Sequence, residues 1–184
     1  IIPSSINQDN VATGSYSIAV GNGNMTSNGG AAFGVYNTSS AEYGTAIGFA
    51  NESTGRGSVV AGYGNSTNGD FSAAFGRYTI ADAENSFVVG RYNNSWGTAD
   101  DWVQTDPLFQ VGNGSSSSDP HDAFVIRKNG YTTLNATGNA TYGLWVIHNG
   151  NTSGGTKYAL RSRATRNFDG TNYYTWKIWC RDST

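Results

Sequence analysis

Small and apolar residues alternate in six short segments between residues 17 and 90, and each segment ends in glycine. The segments occupy residues 17–21, 30–34, 44–48, 58–62, 72–76 and 86–90, so their closing glycines are 13, 14, 14, 14 and 14 residues apart. This period is too short for a helical hairpin, and a unit repeated at fixed spacing buries its apolar side against its neighbours. The pattern predicts a stack of about six β-coils of 14 residues each.

Within each segment, successive side chains of a strand point to opposite faces. One face carries small residues such as Ser17 and Ala19, which suit the narrow interior of a coil. The other face carries larger uncharged residues such as Ile18 and Val20. Because neither face carries charge, we expect both to be covered, the second by other copies of the chain that meet at an axis. Asn-Gly pairs and single glycines between the segments predict the turns.

Beyond this array the pattern changes, and we divide the chain into four parts. A lead-in covers residues 1–11, the repeats cover 12–95, a turn-rich link with two predicted strands covers 96–139, and an aromatic and basic β-rich piece covers 140–184. The two strands of the third part are expected at 108–112 and 123–128, with a Gly/Ser-rich loop between them. We interpret them as a cap, because the last coil would otherwise present an open strand edge.

The composition supports a folded but charge-poor chain. Leu, Ile, Val and Phe make up only 32 of 184 residues, yet only 13% of residues are charged and the net charge is -2, which is unlike a disordered chain. The single Cys180 excludes an internal disulfide framework, and no run is apolar enough for a membrane helix. Because the chain starts without Met and without a signal-peptide pattern, we expect a mature product or a fragment.

The segment Ser58-Val-Val-Ala-Gly62 and its five relatives, at a spacing of 14, resemble the head repeats of the YadA family of trimeric autotransporter adhesins. The resemblance covers about residues 12–95 and implies a left-handed parallel β-roll, a side-by-side homotrimer and an extracellular or cell-surface location. Similar repeats occur in phage tail fibres, so a virion is the alternative location. The stretch from Pro107 to Gly130 resembles a cap segment that follows such rolls in fibre proteins.

Nine Asn-x-Ser/Thr sequons are present. Five of them recur at the coil period, so we interpret their asparagines as turn residues and their Ser/Thr as strand caps; these are Asn24, Asn37, Asn51, Asn65 and Asn93. The other four lie outside the array and are the glycosylation candidates: Asn113, Asn135, Asn139 and Asn151.

The C-terminal piece carries the candidate ligand-binding residues. Residues 156–184 have a charge of +4, whereas the remainder has -6. Aromatic rings beside basic groups suit glycans, and acidic glycans in particular. The candidates are Tyr173, Lys177, Trp179, Arg161 and Arg163. Packing against a neighbouring chain is an equally open role for these rings.

Enzymatic, metal and nucleic-acid functions are not expected. His121 and His148 have no nucleophile or phosphate-binding motif beside them. Two acidic groups, Asp119-x-His121-Asp122 and Asp100-Asp101, fit no defined metal loop, so we expect solvated turns and no cofactor. The acidic chain is unsuited to nucleic acid. The sequence predicts an attachment module that binds a glycan or protein receptor; a viral or phage tail-fibre segment and a purely structural spacer remain alternatives.

Overall fold

The computed structural model describes residues 7–135, and these residues form strands and turns without a helix. Sixteen strands follow one another in two alternating lengths before a longer final group. They are β1 Asn7–Gln8, β2 Val11–Ala12, β3 Ile18–Asn22, β4 Met25–Thr26, β5 Ala31–Val35, β6 Thr38–Ser39, β7 Thr45–Phe49, β8 Glu52–Ser53, β9 Val59–Tyr63, β10 Ser66–Thr67, β11 Ala73–Arg77, β12 Ile80–Ala81, β13 Phe87–Arg91, β14 Pro107–Asn113, β15 Asp122–Arg127 and β16 Thr132–Leu134.

From β2 to β13, long and short strands form two separate parallel sheets, so the chain winds as a β-solenoid of about six turns. The short strand β1 pairs with β3 at the start of the long sheet. The five-residue strands from β3 to β13 pair in sequence order, and the two-residue strands from β2 to β12 form the second sheet. Paired residues are 13 or 14 positions apart, as in Ile18 with Ala31 and Thr45 with Val59. The predicted all-β stack with a spacing of about 14 residues is confirmed.

After the last coil the long sheet continues with three further strands. Strand β14 pairs in parallel with β13, and Gly90 lies opposite Gly112. Strands β15 and β16 then add in antiparallel order, with β15 on β14 and β16 on β15. We call β14 to β16 the antiparallel segment. The strands expected at 108–112 and 123–128 are therefore present, with slightly different ends.

The interior of the coils is narrow and is filled by small side chains. Ala46, Val60, Ala74 and Val88 are fully buried and belong to one apolar cluster. Hydroxyl groups share this space with them: the Oγ of Ser58 lies 2.7 Å from Ser53 Oγ and 2.8 Å from Thr67 Oγ1. The predicted small face is thus the interior face, and part of it is polar.

A ladder of buried asparagines runs through the interior at the corner between the long and short strands. The Nδ2 of Asn51 lies 2.9 Å from Asn37 Oδ1, from the carbonyl oxygen of Ile47 and from that of Gly62. Its Oδ1 accepts the main-chain N–H and the Nδ2 of Asn65, both at 3.0 Å. The same contacts recur one coil earlier and one later, which links consecutive coils by buried amides. Each amide thereby satisfies main-chain groups that a turn would leave unpaired.

This ladder changes the interpretation of the repeated sequons. Asn24, Asn37, Asn51 and Asn65 do stand between strands, as expected, but their side chains are buried. The Ser/Thr two residues later lies within a short strand and is also buried rather than capping it, as Thr26 and Ser53 show. A glycan on these asparagines is incompatible with the folded coil.

The closing glycine of each repeat is required by the close approach of consecutive coils. Gly48 has a φ of +116°, and a Cβ built there would lie 2.3 Å from the carbonyl oxygen of Gly62. Gly62 has the same relation to Gly76, with a φ of +126° and 2.1 Å. Only glycine combines this backbone angle with the absence of a side chain.

We expect Asn51→Ala to lower the free energy of unfolding by about 2–4 kcal/mol, because the buried N–H of Asn65 and the carbonyl oxygen of Gly62 each lose a partner. Asn51→Thr should lose less, since Thr79 already occupies the equivalent position and donates its hydroxyl to Asn65 Oδ1 at 2.8 Å. Chemical denaturation followed by circular dichroism measures both changes.

The matched control is Glu52→Ala, an exposed side chain at the next position, which should change the stability by less than about 0.5 kcal/mol. Equal stability of Asn51→Ala and Glu52→Ala would show that the amide ladder does not stabilise the coils.

Candidate functional site

The outer face of the long sheet is apolar, and nothing else among residues 7–135 covers it. Ile18, Ile47 and Phe75 point away from the interior and remain 47%, 43% and 36% exposed. Strand pairing aligns such residues in two continuous rows, Ile18-Ala31-Thr45-Val59-Ala73-Phe87-Phe109 and Val20-Phe33-Ile47-Ala61-Phe75-Val89-Val111. We call these two rows the apolar face. It contains no charged residue and continues onto the antiparallel segment.

Aromatic rings form a second continuous surface at the corner where the long strands end. Five rings, one from each coil after the first, follow one another along the stack with centroids 5.0 to 6.0 Å apart: Tyr36, Phe49, Tyr63, Tyr78 and Tyr92. We call this set the aromatic ladder. Stacked pairs alternate with perpendicular pairs, and both geometries are favourable for aromatic rings.

Polar groups accompany the aromatic ladder. The guanidinium of Arg77 lies 5.8 Å from the ring centre of Tyr63 and 5.4 Å from that of Tyr78. A hydrogen bond with Tyr78 raises the pKa of the Tyr63 phenol. The ladder is therefore an amphipathic surface, with ring faces packed along the stack and phenol groups at the edge.

Cations of the antiparallel segment pack on rings. The guanidinium of Arg127 lies between Trp96 and Tyr131, at 5.1 and 5.2 Å from their centres. The Nζ of Lys128 lies 4.7 Å from the centre of Trp102. Their buried Nε and Nζ atoms have no hydrogen-bond partner among residues 7–135. These cation–π contacts tie the link after the coils to β15 and to the turn that follows it.

The acidic residues of the loop between β14 and β15 do not point towards a common site. Asp119 accepts hydrogen bonds from Ser115 Oγ at 2.6 Å and from His121 Nε2 at 2.7 Å, and both partners hold its pKa below the usual value. Asp122 is turned inward instead. No cluster of three or more His, Cys, Asp or Glu side chains occurs in the described part of the chain, and Asp100 and Asp101 are exposed.

Asp122 connects three separate parts of the chain. Its carboxylate accepts the main-chain N–H of Asn94 at 3.2 Å and the Nδ2 of Asn94 at 3.0 Å. The Nε2 of Gln110 lies 3.4 Å from the same carboxylate. Burial, which leaves Asp122 only 5% exposed, raises its pKa, and these hydrogen bonds oppose the shift without cancelling it.

The sequence-predicted site residues fall partly within this structure. Asn113 ends β14 and is exposed, while the Nδ2 of Asn135, the atom that would carry a glycan, donates to the carbonyl oxygen of Asp122 at 3.0 Å. The remaining predicted residues lie outside the described residues: Asn139, Asn151, Arg161, Arg163, Tyr173, Lys177 and Trp179.

The aromatic ladder was missed by the sequence interpretation, although a signal exists. Its rings stand one residue after the closing glycine, as in Phe49 and Tyr63, or two residues after it, as in Tyr36, Tyr78 and Tyr92. Because the offset varies between one and two residues, a fixed period of 14 does not align them.

Comparisons with protein-family models, with curated proteins and with solved structures find no match to this chain. In the part of the chain that the structure describes, no helix has the length and apolar character needed to cross a membrane.

We expect the stability of the protein relative to its Asp122→Asn variant to fall as the pH rises from about 4 towards neutrality. The folded state raises the pKa of Asp122 above 3.8, so its carboxylate form is disfavoured on folding. The contribution of this group is therefore greatest below pH 3.8 and declines as the pH passes through the folded pKa. Chemical denaturation of both proteins over a pH series measures this difference, and subtraction removes the titration of all other groups. A relative stability that increases with pH would mean that the fold favours the charged carboxylate.

Proposed function

We propose that this chain is a module of a homotrimeric fibre that attaches to a surface outside the cell. In this proposal the coils form a left-handed parallel β-roll, three rolls join side by side, and the antiparallel segment caps the last coil. The module holds a recognition surface away from its anchor and catalyses no reaction. Its setting is a cell surface or, alternatively, a virion.

The apolar face is the observation that carries this proposal. Large side chains such as Phe33, Ile47 and Phe87 remain exposed on a sheet whose other side is already the complete interior of the coils. Monomeric soluble proteins rarely expose a continuous apolar patch of this kind, and such patches mark association sites. The absence of charge along both rows favours full desolvation rather than a polar contact.

Other copies of the same chain are the partner that fits this face best. The face repeats with each coil, so an identical roll placed alongside presents the same residues at the same heights along the stack. Closed rotational symmetry about an axis parallel to the stack lets every copy bury its face without creating an open-ended polymer. The resemblance to YadA-like head repeats supports three copies.

Attachment is proposed to involve the basic and aromatic C-terminal piece. Tyr173, Lys177, Trp179, Arg161 and Arg163 remain the predicted contacts with a glycan or protein receptor. Rings and cations on neighbouring strand positions provide stacking and charge together. A spacer that binds no receptor is the structural alternative.

We expect the protein to sediment at three times the 19.5 kDa mass of the chain, and Ile47→Glu to dissociate it, because the variant places three carboxylates together in a desolvated contact. Analytical ultracentrifugation measures the mass. Met25→Glu is the matched control, since Met25 is 52% exposed on the short-strand sheet and should tolerate the charge. A folded monomer for the unmodified protein would refute the trimer.

We expect the trimer to bind glycans or cells through the C-terminal piece, with weaker binding after Lys177→Ala and after Trp179→Ala because each removes a charge or a stacking ring. A printed array of neutral and acidic glycans, together with adhesion of protein-coated beads to cells, measures this. If the trimer bound to nothing and neither variant had an effect, the spacer would be the better account.

A further inference from the structure

An open cleft of about 440 Å³ lies where the last corners of the roll meet the loop between β14 and β15. Tyr78 and Tyr92, the last two rings of the aromatic ladder, line it together with Ile80 of the short strand β12. Ser117 and Pro120 line it from the loop. The volume lies within the range of about 300–1,000 Å³ that small-molecule sites occupy. None of its lining residues belongs to the apolar face, so covering that face leaves the cleft accessible.

The two rings of the cleft are held in place before any ligand arrives. Tyr78 and Tyr92 stack with their centres 5.0 Å apart and their planes 19° from parallel. Tyr78 in turn packs against Gly64 of the preceding coil, where a Cβ would lie 2.6 Å from its ring. Both tyrosines have a positive φ, 55° and 44°, in the left-handed region. This left-handed φ recurs at corners outside the cleft, such as Tyr36 and Ala50, so it belongs to the coil and is not particular to the cleft. Because stacking and packing already hold the two rings, binding to them costs little entropy.

The polar groups of the cleft are uncharged. Asn94 lines the cleft and donates its Nδ2 to Asp122, and its Oδ1 is a hydrogen-bond acceptor. Ser95 donates its hydroxyl to Asp82, so its oxygen is still able to accept a hydrogen bond. Ser117 presents a further hydroxyl from the opposite side. No Lys or Arg belongs to the lining, and the guanidinium of Arg77 lies 5.4 Å from the ring centre of Tyr78. Phosphate and nucleic acid are bound by several cations in direct contact, so this lining favours a neutral ligand.

A peptide strand is also disfavoured. Strand β12 is the edge of the short-strand sheet, and such an edge would normally be available for pairing with an extended peptide. Here the side chain of Asn93 occupies both main-chain groups of Ile80: its Oδ1 accepts the Ile80 N–H at 2.8 Å, and its Nδ2 donates to the Ile80 carbonyl oxygen at 2.9 Å. The edge is closed by the chain itself.

We infer that this cleft binds a neutral saccharide. A pyranose ring has an apolar C–H face, which stacks on the face of Tyr92 that points away from Tyr78, and a rim of hydroxyl groups, which bond to Asn94, Ser95 and Ser117. The inference rests on the proposed attachment function but assigns recognition to the roll, at a site formed by a single chain. Its residues differ from those proposed in the basic C-terminal piece, which suits acidic ligands.

The test is a printed array of neutral oligosaccharides of glucose, galactose, mannose and N-acetylhexosamines with their sialylated and sulfated counterparts. It is followed by calorimetry with the best-bound free neutral oligosaccharide. Ser117→Trp fills the cleft from an exposed loop and leaves every residue of the coils unchanged. Tyr92→Gly removes a stacking ring at a position where Gly64 already shows that glycine is compatible. Each variant should weaken binding about tenfold or more. Tyr16→Gly is the control, because Tyr16 also has a positive φ and is 98% exposed away from the cleft.

Binding of neutral glycans that Ser117→Trp and Tyr92→Gly abolish and Tyr16→Gly preserves would support the inference. Binding restricted to acidic glycans, or unchanged in Ser117→Trp, would overturn it, as would adhesion to cells without any glycan binding. The monomeric Ile47→Glu variant separates the two proposals. Because one chain forms the whole cleft, this variant should retain affinity for the free oligosaccharide whether or not the trimer proposal holds.

Discussion

Everything in this fold depends on how closely one coil lies on the next. Carbonyl oxygens of one coil come so near to the closing glycines of the preceding coil that a Cβ at Gly48 or Gly62 would overlap them. The interior between the two sheets is correspondingly narrow and admits only Ala, Val, Ser, Thr and Asn. Such an interior buries little apolar surface per residue. Hydrogen bonds between coils, above all those of the buried asparagine amides, therefore provide the stability that large apolar side chains provide in an ordinary core.

A narrow interior has a consequence for the outside of the roll. Phe and Ile have no room inside, so alternation along the strand places Ile18, Phe33, Ile47, Phe75 and Phe87 on one outer face. The coils thus satisfy their main-chain groups internally, while among residues 7–135 their largest apolar surface stays exposed. The alternating positions of the repeat have different roles: the small residues, with the asparagine that follows the segment, determine the coil, and the large residues form the apolar face. In the proposed trimer, the same segment therefore determines both the coil and the contact between copies.

The period of 14 was sufficient to predict the coils, because it repeats six times and alternation within each repeat separates the two faces. Other features of the structure could not be predicted from the sequence, for identifiable reasons. Asn-Gly and Asn-x-Ser patterns indicate turns, and nothing in them distinguishes an asparagine at a surface turn from Asn51 inside a corner. The contacts of Asp122 with Asn94 and Gln110 join residues 28 and 12 positions apart with no repetition to reveal them. The predicted ligand-binding residues of the C-terminal piece lie outside the described residues, so they stay a prediction.

The rings of the aromatic ladder come from two different backbone positions. In three coils the ring stands at the left-handed corner position itself, as Tyr36, Tyr78 and Tyr92. In the two coils between them that corner is Ala50 or Gly64, and the ring comes from the preceding residue, Phe49 or Tyr63. A tyrosine in the left-handed region is unfavourable, and Asn or Gly would meet the backbone requirement more easily. The strain is offset where the ring packs on a glycine one coil earlier, as Tyr36 does on Gly23 and Tyr78 on Gly64. Every coil after the first contributes one ring to the aromatic ladder from one of these two positions. The constant feature of this surface is therefore the ring and not the turn that carries it.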